Sequence, residues 1–381
     1  MRYYIIAGEA SGDLHGSNLI KNLKIEDPNA IIRGWGGDLM QKQGAEIVKH
    51  YRDLAFMGFA EVVKHLPTIL RNMDFCKKDI VAFKPDVVIL VDYPGFNLRI
   101  AKFLKQAGFK VVFYISPNVW AWKSSRVHLI KKVIDRMMVI LPFEKDFYAK
   151  YDYNVDFVGH PLLDVIGEAT PNREAFIRAN NLPDKPLVTL MPGSRKMEIE
   201  NMLSIMADMT KNFPDYQFVI AAAPSAHGEW YVDYLTQKNI SIVYDKTYAL
   251  LQHSVAAVVK SGTSTLETAL WGVPQLICYR ARGVTGNISY HIAKRLVGNR
   301  VRFIGLVNLI MDREVVREFI QYDMTAENLT AELTKLLNDP AYIARIKADY
   351  KTVHEKLGGP GASAKAARVV MEVVAPLKKT A

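Results

Sequence analysis

Short apolar runs that end in small residues and lead into a helical stretch recur along this chain, and Val258 to Pro274 shows the pattern in full. Val255 to Val259 reads as a strand buried on both faces. Ser261-Gly262-Thr263 lets the backbone turn sharply and come close to a ligand. Ser264 to Leu270 then reads as a helix, with hydroxyl residues as N-cap candidates. Free N–H groups and the positive end of the dipole make such a helix start ready for an anion. Glu267, about one turn further in, is a poor neighbour for phosphate but a good acceptor for sugar hydroxyls. An ordinary capped strand-turn-helix would look the same locally, so the weight rests on what recurs elsewhere. Repetition of this unit confines the chain to an α/β architecture with parallel sheets.

With 381 residues, half of them hydrophobic, there is material for two domains with sizeable cores. No apolar run approaches the ~18–20 residues of a membrane span, and the short strand Tyr3 to Ala7 is not the core of a signal peptide. Cys76 and Cys278 have no metal-type spacing, which fits a reduced cytoplasmic enzyme. A formal charge of +10 favours an anionic partner: nucleotide, phosphorylated substrate, acidic membrane face or nucleic acid. No nucleic-acid module or basic strand with interleaved aromatics is present, so no nucleic-acid partner is expected.

In chain order, a strand over residues 3–7 runs into Gly8-Glu9-Ala10-Ser11-Gly12-Asp13 and a helix from Leu14 to Leu23. This turn is neither a dinucleotide fingerprint nor a P-loop. Its carboxylates, Glu9 and Asp13, suit sugar hydroxyls or catalysis, with a solvated turn as the plain alternative. Ile31 to Gly37 reads as a second glycine-rich turn. Gly58 to Met73 reads as a helix, kinked at Pro67, whose apolar face carries Phe59, Val62, Val63, Leu66, Ile69 and Leu70. Lys64, His65, Arg71, Lys77 and Lys78 lie around or just beyond it, so the helix could pack on a sheet or lie on an anionic membrane. Asp86 to Val91 is a buried strand with Asp92-Tyr93-Pro94-Gly95-Phe96-Asn97 beyond its carboxyl end, where open α/β sheets place ligands. The strand Lys110 to Ile115 leads to Ser116-Pro117-Asn118-Val119-Trp120-Ala121-Trp122. Strands at Arg136 to Leu141 and Asp156 to Val158 precede Gly159-His160-Pro161-Leu162.

Near residue 165 the pattern restarts. Strands are expected at Leu187 to Met191, Tyr216 to Ala222, Ile240 to Tyr244, Val255 to Val259 and Gln275 to Tyr279, with helices between. Pro192-Gly193-Ser194-Arg195 repeats the strand, small-residue, helix-start logic and adds a guanidinium able to clamp a phosphate. Two anion-ready helix starts in one domain suit a nucleoside diphosphate. No Asp-x-Asp occurs, so a diphosphate leaving group would be stabilised by backbone N–H groups and Arg195, and no metal ion is expected. After Asp323 the chain reads as helical, with breaks at Asp339-Pro340 and Gly358 to Gly361.

Together these loops resemble the lipid-A-disaccharide synthase family, glycosyltransferases of the two-Rossmann-domain (GT-B) type. The resemblance rests on Gly8 to Asp13, Met57 to Val62, Ser116 to Trp122, Val158 to Leu162, Pro192 to Arg195, Ser261 to Thr263 with Glu267, and Val307-Asn308-Leu309. It implies two Rossmann-like parallel-sheet domains facing across a cleft. Residues 1–164 would form the acceptor and membrane side and 165–356 the UDP-sugar domain, with 357–381 a helix and basic tail returning to the first. It implies inverting transfer from UDP-2,3-diacylglucosamine to 2,3-diacylglucosamine 1-phosphate, without a cofactor, by a homodimer peripheral to the cytoplasmic face of the membrane.

Carried over by position, Gly193, Ser194, Arg195, Ser261, Gly262, Thr263, Glu267, Asn308 and Gln321 are implied at the UDP-sugar site. Gly8, Ser11, Asn97, Trp120, Trp122 and His160 fall on the acceptor side, and the membrane contact to Phe59, Val62, Val63, Leu66, Ile69 and Leu70. Members commonly read Asp-x-Pro-Asp-Phe-Asn in the loop where this chain has Gly95 in place of the second aspartate. The base is then Asp92, or else Glu9 or Asp13. Rival readings are another GT-B enzyme (a UDP-sugar epimerase or a polyprenyl-acceptor transferase) and a non-catalytic nucleotide-sugar binder.

Overall fold

The computed structural model describes residues 1–54, 66–122, 124–167, 172–223, 226–235, 239–281 and 302–378. They form two compact units: residues 1–164 with 357–381, and residues 165–356.

Unit 1 holds seven strands: β1 (Arg2–Ala7), β2 (Ile31–Gly36), β3 (Glu46–His50), β4 (Val87–Val91), β5 (Val111–Tyr114), β6 (Arg136–Val139) and β7 (Asp156–Phe157). They pair in parallel in the order β3-β2-β1-β4-β5-β6-β7. The two-residue side-chain period divides β1 between two cores. Tyr4 and Ile6 join Cys76 and Ile80 of the helix Leu66–Phe83 on one face. Tyr3, Ile5 and Ala7 join Leu19, Ile20 and Leu23 of the helix Ala10–Glu26 on the other. Ala366, Val370 and Val374 of the helix Ala362–Lys378 complete that second layer. Asp164 fixes the start of this last helix by accepting from the N–H groups of Gly361, Ala362 and Ser363. Each fully buried Val, Leu or Ile contributes about 1.5–3 kcal/mol, so a sheet covered on both faces needs the continuous apolar runs seen in β1 and β4.

Unit 2 holds β8 (Leu187–Met191), β9 (Gln217–Ala222), β10 (Ile240–Tyr244), β11 (Ser254–Lys260), β12 (Gln275–Tyr279) and β13 (Glu318–Ile320). Their order is β10-β9-β8-β11-β12-β13, again parallel. Each sheet runs outward in opposite directions from one central pair, β1/β4 in unit 1 and β8/β11 in unit 2. That reversal is the switch point of a doubly wound sheet, where the strand ends open a crevice for ligands.

Two expectations are corrected. Residues 31–36 are the strand β2, not a turn. A side-chain carbon at Gly34 would stand 1.9 Å from the carbonyl oxygen of Ile5, so glycine serves close strand approach there. Trp35 is fully buried, 5.1 Å from the Phe96 ring. The apolar helix runs over Leu66–Phe83, and Pro67 stands in its first turn, where its missing N–H does no harm. Residues 58–65 of the expected helix lie outside the described residues. The edge strands β3 and β13 escape a hydrophobicity reading, since β3 is half-exposed and carries Glu46, Lys49 and His50.

Candidate active site

The loops singled out by sequence stand at the two switch points. In unit 1, Gly8 to Asp13 follows β1 and Asp92 to Asn97 follows β4. The two loops are in contact: a side-chain carbon at Gly8 would lie 2.3 Å from the Tyr93 ring. Asp92 and Tyr93 both take left-handed backbone conformations, at φ 44° and 49°. Such geometry costs roughly 1 kcal/mol or more per non-glycine residue and persists only where the surroundings impose it. Asn97 supplies part of that force. It is fully buried, and its amide donates to the carbonyls of Asp92 (2.7 Å), Val91 (3.3 Å) and Ile6 (3.4 Å). Asn97 therefore shapes the loop that presents Asp92. Burial, followed by the charge of Glu9, pushes the Asp92 carboxyl up to about 6. Glu9 and Ser11 are exposed at the start of the helix Ala10–Glu26.

Asp13 takes a different part. It is 2% exposed, and its carboxylate accepts from the N–H groups of Gly37 (2.7 Å), Leu39 (3.1 Å) and Met40 (3.1 Å). Such a carboxylate ties β2 and the short helix Asp38–Lys42 to the first helix. His160 is buried too, and Nδ1 accepts from the N–H of Leu162. Burial, then neighbouring His15, pushes the His160 imidazole down to about 3, so it is neutral at ordinary pH. Trp120 packs edge-on to Phe143 at 5.0 Å, and the Trp122 side chain lies outside the described residues. Sequence reading missed Glu144. It is buried, accepts from Leu141 and Ile140 N–H, and is pushed up to about 7 by burial.

On the helix Leu66–Phe83, Ile69 is half-buried, while Leu70 (55% exposed) and Phe75 (45%) line a shallow surface depression with Arg71, Asp74 and Lys78. Phe59, Val62, Val63 and the Leu66 side chain lie outside the described residues.

In unit 2, Met191 pairs with Val259, so the loops after β8 and β11 leave the sheet side by side. Gly193 has φ 117°, a conformation suited to glycine. Ser194 and Arg195 are exposed beside it, and Arg195 occupies the N-cap position of the helix Lys196–Thr210. Gly262 and Thr263 open the helix Thr263–Leu270. The Ser261 hydroxyl donates to the carbonyl of Ile304 (2.8 Å). Glu267 lies one turn into that helix, half-buried and without a hydrogen-bond partner among the described residues. Burial pushes it up to about 7. A half-buried carboxylate with no partner among the described residues is open to ligand hydroxyls.

Asn308 and Gln321 act differently. Asn308 is fully buried; its amide donates to Val316 O and Glu318, and its oxygen accepts from Val315 and Val316 N–H. With both polar atoms engaged, it holds the segment before β13. Gln321 exchanges two hydrogen bonds with the backbone of Ala281. Sequence reading also missed Lys260 and Glu198, whose ion pair at 2.9 Å joins the ends of the two central loops. Lys260 was signalled only as a charge closing an otherwise apolar strand.

The lipid-A-disaccharide synthetase family model matches residues 3–373. The chain belongs to that family. The lipid-A-disaccharide synthase of Geobacter metallireducens is 39% identical over 379 residues, covering 98% of this chain and 97% of that protein. The enzyme of the same name from Syntrophus aciditrophicus is 38% identical over 378 residues, covering 97% of each. Among solved structures, a Staphylococcus aureus MnaA–UDP complex superposes with a TM-score of 0.68 at 12% identity, covering 99% of this chain and 96% of that one. The calicheamicin glycosyltransferase CalG4 gives 0.59 at 15%, covering 97% and 98%. At such identities the structures speak for the fold alone, two Rossmann-like domains of the GT-B type. The sequence relatives speak for the activity: a glycosyltransferase of lipid A biosynthesis rather than an epimerase or a passive binder.

Proposed function

We propose that this chain joins UDP-2,3-diacylglucosamine to 2,3-diacylglucosamine 1-phosphate, giving the β-1,6 disaccharide 1-phosphate and UDP. Unit 1 serves the acceptor and unit 2 the donor. The observation that carries the reading is the contrast between the switch points, Asp92 with Glu9 at one and, at the other, the cations Arg195 and Lys260 sharing Glu198. In the reaction, Asp92 takes the proton of the acceptor's 6-hydroxyl as that oxygen attacks the anomeric carbon from the face opposite the diphosphate. The bond from the anomeric carbon to the phosphate oxygen breaks, its electron pair leaves with UDP, and the configuration inverts. Arg195 and the N–H groups opening the helices Lys196–Thr210 and Thr263–Leu270 stabilise the charge that develops on the diphosphate. Glu267 accepts from the ribose hydroxyls. The test is UDP release from the diacylated donor with and without the monosaccharide phosphate: release should require both. Release from donor and water alone, or no release at all, would overturn the reading.

Acyl-chain substrates suit a site at the membrane surface. No described helix is long and apolar enough to cross a membrane. Exposed Leu70 and Phe75 beside Arg71 and Lys78 support peripheral binding to an anionic cytoplasmic face. Replacing both apolar residues with serine should reduce sedimentation with phosphatidylglycerol vesicles and leave the melting temperature within a few degrees. An unchanged vesicle-bound fraction counts against this contact. A homodimer follows from the family resemblance and is tested by light scattering of the full chain.

A further inference from the structure

The geometry points to Glu198 as an internal stand-in for the donor diphosphate, and to Lys260 as a second phosphate-binding cation beside Arg195; this rests on the donor site proposed above. The side chain of Glu198 folds back over the loop after β8. One carboxylate oxygen accepts from the N–H of Ser194 at 3.2 Å. The other lies 2.9 Å from Lys260 Nζ and 3.9 Å from the Arg195 guanidinium. An N–H, an ammonium and a guanidinium thus converge on one anion, the donor set that would hold a phosphate group. Gly193 leaves the room this requires, since a side-chain carbon there would stand 2.5 Å from the Glu198 carboxylate. Lys260 closes β11 and curls toward the next turn, 3.9 Å from where a side-chain carbon on Gly262 would be. One ammonium therefore reaches both central loops.

Two cations sharing a single carboxylate, with Arg195 at the outer limit of ion pairing, leave positive charge that a diphosphate with several anionic oxygens satisfies better. Lys260 and Glu198 are each about one-fifth exposed, so the pair is partly shielded while the carboxylate has a route to water. Donor entry then exchanges anions. The carboxylate swings out, the diphosphate takes over the Ser194 N–H and both cations, and departure of UDP restores the internal pair. Glu198 keeps the empty site ordered and competes with the product for it, which favours release. An N-terminal carboxylate that merely caps its own helix is the alternative, and it predicts the opposite effect on affinity.

Calorimetric titration of the full chain with UDP and with uridine separates the two. Lys260→Met should weaken UDP about tenfold, and Glu198→Gln should tighten UDP about three- to tenfold, with uridine affinity unchanged in both. In the double variant the gain from Glu198→Gln should shrink, because its carboxylate then competes for fewer donors. If the wild type binds no UDP, the donor site itself falls and this inference with it. If Arg195→Ala weakens UDP while Lys260→Met and Glu198→Gln leave it within twofold, the donor site stands and the inference is overturned. Should Glu198→Gln weaken UDP and uridine equally and lower the melting temperature, Glu198 is a cap only. Lys260→Met decides the matter where the Glu198 variant is too unstable to titrate.

Discussion

The same sheet reversal is built twice in this chain and dressed with different charged groups. At the β1/β4 ends of unit 1 stand Glu9 and Asp92; at the β8/β11 ends of unit 2 stand Arg195 and Lys260, with Glu198 between them. The means of positioning differ as well. Asp92 sits in strained left-handed backbone braced from below by buried Asn97, whereas in unit 2 Arg195 is an exposed side chain beside a glycine turn and Lys260 a partly shielded one closing β11. A general base gains from a fixed position and a carboxyl raised toward neutrality by burial. A phosphate clamp must admit and release a charged group, and adaptable side chains suit that. The topology supplies the place, and the residues at four strand ends decide the chemistry.

The comparison breaks most sharply at Asp92. Asp92→Asn keeps the shape and most hydrogen bonds but removes the base, so kcat should fall by about 10²–10⁴-fold while UDP affinity is retained. If turnover stays within a few-fold and Glu9→Gln abolishes it instead, the base belongs to the first loop. On the unit 2 side, Arg195→Ala should cost about 2–4 kcal/mol of transition-state stabilisation, read as a loss in kcat/KM together with weaker UDP binding. Unchanged values for both would remove Arg195 from the diphosphate site.

How far the sequence discloses these sites depends on what kind of signal each residue leaves. Loops after β1, β4, β8 and β11 are legible because central parallel strands are mostly apolar and lead into short turns of small, charged or proline residues. The glycines of β2 carry the composition of a turn, and only the Ile5 carbonyl beside Gly34 and the Met40 side chain beside Gly36 show why they are in a strand. Asp13, Asn97 and Asn308 fall in motifs of the family, yet the Asp13 carboxylate, the Asn97 amide nitrogen and most of the Asn308 amide's bonds are committed to backbone groups, in part from elements far away in sequence. Such bracing is a tertiary property that no local pattern records. Lys260 and Glu198 went unread for a related reason: 62 positions separate them, and only the β8/β11 pairing brings them together.

A finer test uses pH. Asp92, raised to about 6 by burial and by Glu9, works only when ionised. The rate kcat/KM should therefore fall as pH drops through about 6, and Asp92→Asn should remove that limb. Glu267, raised to about 7 by burial alone, accepts ribose hydroxyls best when charged. UDP affinity should then weaken several-fold between pH 8 and pH 6, with Glu267→Gln abolishing the dependence. A limb unmoved by either substitution belongs to other groups.

The smallest expected effect lies at Gly95, where the family resemblance implies an aspartate. A side-chain carbon at this exposed position meets nothing within 4 Å. The residue also lies in the first turn of the helix Pro94–Gln106, where a negative charge is favourable by about 0.3–1 kcal/mol. Gly95→Asp should consequently fold with equal or slightly higher stability and change the wild-type rate by no more than a few-fold, since Asp92 already supplies the base. The informative background is Asp92→Asn. There the new carboxylate, three residues further on in the first turn of that helix, should restore part of the lost kcat, measured by UDP release at pH 8. Partial recovery would show that this crevice accepts a base from either position, with the β4 loop setting where the acceptor hydroxyl lies. If Gly95→Asp is well folded, yet recovers nothing over Asp92→Asn alone, the position of Asp92 itself is what matters, and the strained backbone at residues 92 and 93 is the feature that makes this loop catalytic.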